Sequence, residues 1–175
     1  MTSEQPTYDH DRIVKELHSA DPVQVMEAIE ALRVAGKTSD IPLLLDLLHQ
    51  SSNPEVKAKI FALLGNLKES DTIPLIMEAI RNEKYAPELK KLVSCCWENG
   101  LDYTPYLPVF VDLMIESDFL VAFEAYTVIT NMVTAIDQAK LDTEIEKLDK
   151  SLPTTSEEKK VLILDVIDFL PSIGY

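Results

Sequence analysis

Two series of prolines recur along this chain at a nearly fixed interval, and that recurrence restricts the possible folds more than any other feature. Asp21-Pro22, Asn53-Pro54 and Ala86-Pro87 are spaced 32 and 33 residues apart; Ile41-Pro42, Ile73-Pro74 and Leu107-Pro108 are spaced 32 and 34. Proline is tolerated in the first turn of a helix, where its missing N–H has no intrahelical partner. Asp21 and Asn53 stand directly before it as good N-caps, and Asp40 and Asp71 are expected to do the same in the second series. Each period therefore contains two helix starts, an interval typical of helical repeats.

The apolar pattern agrees. After the second proline series the chain reads Ile41, Leu44, Leu45, Leu48, then Ile73, Ile76, Met77, Ile80, then Leu107, Phe110, Val111, Met114. Each set is spaced i, i+3, i+4, i+7, one face of an α-helix. The helices between them align as Ala28, Ala31, Leu32, Ala35; Ile60, Leu63, Leu64, Leu67; Val93, Cys96, Trp97, Gly100; and Ala125, Val128, Ile129, Met132. Weaker copies stand at the ends: Ile13, Leu17 and Ala20; Leu141, Ile145 and Leu148; and Ile163, Val166, Ile167 and Leu170. Thr155-Ser156-Glu157-Glu158 has the form of a capping box before the last of these. The expectation is one all-α domain over residues 1–175, with five antiparallel helical hairpins at 7–36, 39–68, 71–100, 104–134 and 137–170.

The run Asp40-Ile41-Pro42-Leu43-Leu44-Leu45-Asp46-Leu47-Leu48, followed by Asn53-Pro54-Glu55-Val56-Lys57 through Leu63-Leu64-Gly65-Asn66-Leu67, resembles a HEAT repeat. That family enters its first helix through a proline and opens the second with Asp/Asn-x-x-Val. Lys57 stands where an arginine commonly follows that valine. The resemblance implies a right-handed α-solenoid, a HEAT-like or armadillo-like superhelix, and the scaffold or adaptor class. It names no partner.

Charge narrows the function. The chain has 30 acidic against 16 basic residues, a formal net charge of -14. Nucleic-acid binders need cationic surface to displace phosphate counterions, so DNA, RNA and anionic membranes are poor partners. Phe119 to Ile136 is the most apolar run, but with Glu124 and three threonines inside it reads as a buried helix and not a membrane span. Met1 is followed by a polar start with no signal pattern, so a cytoplasmic, non-membrane protein is expected.

Candidate chemistry is sparse. His10, His18 and His49 lack second ligands at metal spacing and are expected to be solvated. Cys95 and Cys96 are adjacent and cannot build a disulfide framework. By alignment Cys96 is a core position and Cys95 more exposed, a thiol without a neighbouring base. Glu27 and Glu30 fall on a solvent face, where a catalytic carboxylate pair lacks the burial it needs. Asn66, Asn99 and Asn131 share one repeat position; they either form an amide ladder for an extended peptide or end their helices. Aromatic residues concentrate in 97–126, Trp97 and Phe110 at core positions, Phe123 and Tyr126 off the core series, and Tyr103 and Tyr106 at a junction. They serve packing or an interface equally well.

No phosphate-cradling loop, nucleophile elbow or CxxC pair occurs. The expected function is therefore a non-enzymatic protein-interaction module without cofactor or metal. It would bind a protein or peptide, basic if charge decides, on the ridge of second helices that lines the concave side. The candidate contacts are Glu27, Glu30, Lys59, Lys91, Glu98, Glu124, Thr127 and Thr130, with Tyr103 and Tyr106 at the junction. The alternatives are an enzyme of the HEAT-like bilin-lyase type and an acidic inhibitor, of the immunity-protein kind, that masks a basic enzyme. The oligomeric state is left open.

Overall fold

Both helix signals, proline in the first turn and the i, i+3, i+4, i+7 apolar series, are realised in a computed structural model that describes residues 9–175. Ten α-helices account for most of those residues: α1 (His10–Glu16), α2 (Pro22–Ala35), α3 (Ile41–Gln50), α4 (Pro54–Leu64), α5 (Ile73–Ile80), α6 (Leu89–Glu98), α7 (Leu107–Glu116), α8 (Phe119–Thr130), α9 (Gln138–Ser151) and α10 (Glu157–Phe169). Each of the five expected windows holds two of them; residues 7 and 8 of the first window, and the polar start at 1–6, lie outside the described residues. Among the described residues there is no strand, only one isolated parallel bridge between Ile136 and Gly174.

The first proline series works as its chemistry requires at two of three places. Asp21 accepts from Val23 N at 3.0 Å, and Asn53 accepts from Glu55 N at 2.9 Å, each just before a proline that opens its helix. These bonds satisfy backbone donors the first helical turn leaves orphaned. Pro87 departs from expectation. It lies within a 3-10 segment, Glu83–Glu88, and α6 starts only at Leu89. α6 buries Leu92 through Cys96 and Asn99: Val93 and Cys96 are in the core as expected, but Trp97 is not, and Leu92, Cys95 and Asn99, one residue earlier than the proline alignment predicts, are. A 3-10 turn advances about 120° per residue against about 100° in an α-helix, so a phase counted from a proline in such a turn does not carry into the helix.

In the second proline series the expected caps are corrected. α3, α5 and α7 are each reached through a 3-10 turn: Thr38–Asp40, Ser70–Thr72 and Thr104–Tyr106. Asp40 turns back to accept from Lys37 N at 2.7 Å, and Asp71 accepts from Thr38 Oγ1 at 2.9 Å. Neither side chain caps the helix after it. The Thr155–Glu158 capping box also does not form, because Thr155 Oγ1 donates to Ser151 O at 2.8 Å and α10 begins after Ser156 without a side-chain cap.

Each helix buries its apolar stripe against its chain neighbour: α1 on α2, α3 on α4, α5 on α6, α7 on α8 and α9 on α10. The even-numbered helices also pack in chain order, α2 on α4, α4 on α6, α6 on α8 and α8 on α10, while α3 packs on α5 and α7 on α9. All twelve core positions read for α3, α5 and α7 are buried, as are all four read for α8. One continuous apolar core results. In α1, Ile13 and Leu17 are buried but Ala20 is exposed. The chain end is tied in by Ile136 N donating to Ile173 O at 2.8 Å and Tyr175 N donating to Ile136 O at 3.2 Å. Among the described residues no helix is long and apolar enough to cross a membrane.

Candidate interaction face

The lateral packing of α2, α4, α6, α8 and α10 leaves one stripe of each pointing away from the core. The first half of this face is charged. Glu30 on α2 accepts from Arg33 at 2.6 Å and from Lys59 on α4 at 3.3 Å, and Glu27 is exposed beside it. Between α4 and α6 runs a groove of about 420 Å³, floored by Ala58, Phe61 and Ala62 and walled by Lys57, Lys91 and Glu98. Lys57 is also drawn to the buried Glu88 carboxylate at 3.2 Å.

The second half is apolar. Trp97 at the end of α6 is 40% exposed, and its indole N–H donates to Glu124 Oε2 on α8 at 2.9 Å. Beside Glu124 stand Leu120, 55% exposed, and Phe123, 45% exposed. The Phe123 ring lies 6.2 Å from Phe119 and 6.0 Å from Tyr126, centre to centre. Tyr126 donates its hydroxyl to Asp165 on α10 at 2.6 Å, and that bond holds the phenol pKa above its ordinary value. On α10, the helix that carries Asp165, Val161 and Leu164 are 68% and 50% exposed. Thr127 and Thr130 donate to carbonyls of their own helix, to Phe123 O and Tyr126 O, so their hydroxyl protons are already engaged.

Of the ten contact positions expected from the sequence, Glu27, Glu30, Lys91 and Glu98 are exposed, and Lys59, Glu124, Thr127, Thr130 and Tyr106 are partly so. Tyr103 is the correction. It is 1% exposed, its ring meets Phe110 edge-on, and its hydroxyl accepts from Asn99 Nδ2 at 3.0 Å. Gly100, at φ 68°, supplies the left-handed turn after α6 that folds this junction back over the core. Burial pushes the Tyr103 phenol well above its ordinary range.

The one-residue shift in α6 moves three further residues. Trp97, expected in the core, faces outward, and Cys95, expected near the surface, is 1% exposed. Burial, aided by the charge of Glu98, raises the Cys95 thiol to about 12, and burial pushes Cys96 higher still. Both sulfurs are therefore protonated at neutral pH, which leaves no thiolate to act as a nucleophile. Asn99 is buried and accepts from Leu101 N at 3.0 Å, whereas Asn66 and Asn131 each donate to a carbonyl four residues back at 2.7 Å. All three amides are engaged within the fold.

The histidines also differ from expectation. His10 Nε2 lies 2.9 Å from Asp40, and His49 Nδ1 lies 3.2 Å from Glu88 with its ring edge-on to Tyr85. Only His18 is exposed. These pairs join residues 30 and 39 apart in sequence, beyond the reach of local periodicity. A depression of about 550 Å³ is lined by Pro105, Leu107, Pro108 and Ile136 together with Asp102 and Glu144. Lys147 pairs with Glu144 at 2.8 Å and with Asp112 at 2.6 Å. Among the described residues no group of three or more His, Cys, Asp or Glu is placed to hold a metal ion.

Val161 and Leu164 were not among the expected contacts, although their signal is present: both fall off the Ile163, Val166, Ile167, Leu170 core series.

No protein-family model matches the chain, and no curated protein matches it. Among solved structures, a crystal structure of an engineered protein is similar over 95% of this chain and 81% of its own, at 18% sequence identity and a TM-score of 0.44.

Proposed function

We propose that this protein is a non-catalytic interaction module, a HEAT-like right-handed α-solenoid of five hairpins that binds a protein partner on its even-numbered helices. The order of helix contacts supports the repeat reading: each even-numbered helix touches the next, and α3 touches α5 and α7 touches α9, as stacked hairpins require. The observation that carries the function is the exposed apolar surface of Trp97, Leu120, Phe123, Val161 and Leu164, linked across α6, α8 and α10 by hydrogen bonds through Glu124 and Asp165. Scattered surface hydrophobics need no explanation, but a contiguous group centred on aromatics marks an interaction site.

The test is affinity capture of the tagged protein from its native lysate beside a variant carrying Phe123→Ser and Leu164→Ser, both verified as folded by circular dichroism. A partner held by the wild type and lost in the variant is expected. An identical captured set from both proteins, or an empty one, overturns the reading.

A further inference from the structure

We propose that the surface across α8 and α10 receives a basic amphipathic α-helix of a partner protein, an inference that rests on the interaction-module reading above. Leu120 and Phe123 are three residues apart on α8, as are Val161 and Leu164 on α10, and the two helices pack against each other. Packed helices lie about 8–10 Å apart, so the two short stripes frame a strip about one helix wide. A partner helix would fill it with apolar residues at i, i+3 or i+4, and i+7.

The rim fixes the charge of that helix. Glu124, Asp165 and Asp168 border the strip, and Glu124 is the one charge within α8. The two lysines of α10 are committed elsewhere. Lys159 donates to Ile115 O and Ser117 O at 2.8 Å each, and Lys160 pairs with Glu157 at 2.5 Å. An apolar strip inside a carboxylate rim is complementary to a helix with lysine or arginine flanking its apolar face. A second copy of this chain would instead bring the same acidic rim and another net charge of -14.

Other peptide modes fit less well. β-Augmentation requires an open sheet edge, and the described residues contain no strand. Polyproline ligands use free indole and phenol donors, whereas Trp97 and Tyr126 already donate to Glu124 and Asp165.

Trp97 is the sole tryptophan of the chain and stands at the edge of the strip, so its fluorescence reports occupancy directly. Three tryptophan-free synthetic peptides would be titrated: a Leu/Lys amphipathic helix, the same composition scrambled out of helical phase, and the amphipathic helix with Glu for Lys. The expected result is a saturable blue shift with the first alone. It should weaken at high salt and lose about tenfold or more in affinity in the Phe123→Ser/Leu164→Ser variant. Leu164→Ser alone serves as a second, milder variant. Equal binding of the scrambled peptide, an undiminished affinity in both variants, or no response to any peptide overturns the proposal. Sedimentation equilibrium belongs beside it, because self-association abolished by the same variant would reassign the strip to a second copy. A captured partner that depends on the strip, with no peptide binding, would leave the interaction-module reading standing and remove the helix.

Discussion

α4 and α8 occupy equivalent places in the fold and bury the same kind of stripe, yet their outer faces share almost nothing. Inside, Ile60, Leu63 and Leu64 of α4 correspond to Ala125, Val128 and Ile129 of α8, all buried. Outside, α4 shows Lys57, Lys59 and Ala62, with Lys59 held in an ion pair to Glu30, while α8 shows Leu120, Phe123 and the lone Glu124. Packing constrains only the inner series, because only those positions exchange water for neighbours. The outer series is free to become charged, and over α2 and α4 it largely does so, although Val23 and Val34 of α2 stay exposed. The apolar side chains of α8 and α10 keep about half or more of their surface in water, so burial on folding accounts for only part of their presence.

The largest effect should come from treating the two halves alike on the inside. Ile60→Ala and Ile129→Ala each remove a fully buried side chain, and each should cost about 2–5 kcal/mol in denaturant unfolding. If the halves form one cooperative unit, both variants will shift a single transition. Loss of one half alone, seen as a biphasic curve, would show that the contrast extends to stability.

Next in size is an alkaline effect at the junction of the halves. Cys95, Cys96 and Tyr103 all have their proton affinity raised by burial. The folded chain therefore keeps protons that the unfolded chain releases. Stability from the thiols is complete below pH ~9 and declines as pH rises toward the folded values, by about 1.4 kcal/mol per pH unit for each thiol. Unfolding measured between pH 8 and 11 should show this slope, and Cys95→Ala should flatten it. An unchanged slope in that variant would show that Cys95 is not buried as described, and with it the shifted phase of α6 would fall.

That phase marks where the sequence stops being legible. The stripes of α3, α5 and α7 were readable because one proline in the first turn of each fixed a register that nothing later disturbed. In α6 the same punctuation misled, since Pro87 sits in a 3-10 turn and not at the helix start. From that single slip follow the misplacements of Trp97, Cys95 and Asn99. Counting nineteen residues on from Ile41 and Ile73 of the preceding helices to Ile60 and Leu92 would have kept the phase. Tyr103 and the pairs His10–Asp40 and His49–Glu88 were hidden for another reason: they depend on contacts between distant segments that leave no local pattern. The site itself was half visible. Phe123 and Tyr126 stood off the core series from the start, but their continuation onto α10 required knowing that α8 and α10 touch.

The polar half of the face should respond least. Glu30→Lys removes the pairs to Arg33 and Lys59, both with substantial solvent contact, and should change stability by less than about 1 kcal/mol, less still at high salt. It lies on α2, away from the α8 and α10 strip, so peptide affinity there should stay within about twofold at moderate ionic strength, where charges beyond a Debye length are screened. Phe123→Ser should show the reverse profile: a stability loss of only about 1 kcal/mol, as for a half-buried side chain, and affinity sharply reduced. If Glu30→Lys weakened binding as much as Phe123→Ser did, recognition would run along the whole row of even-numbered helices, and the apolar strip would be one segment of a longer footprint that takes its charge specificity from α2 and α4.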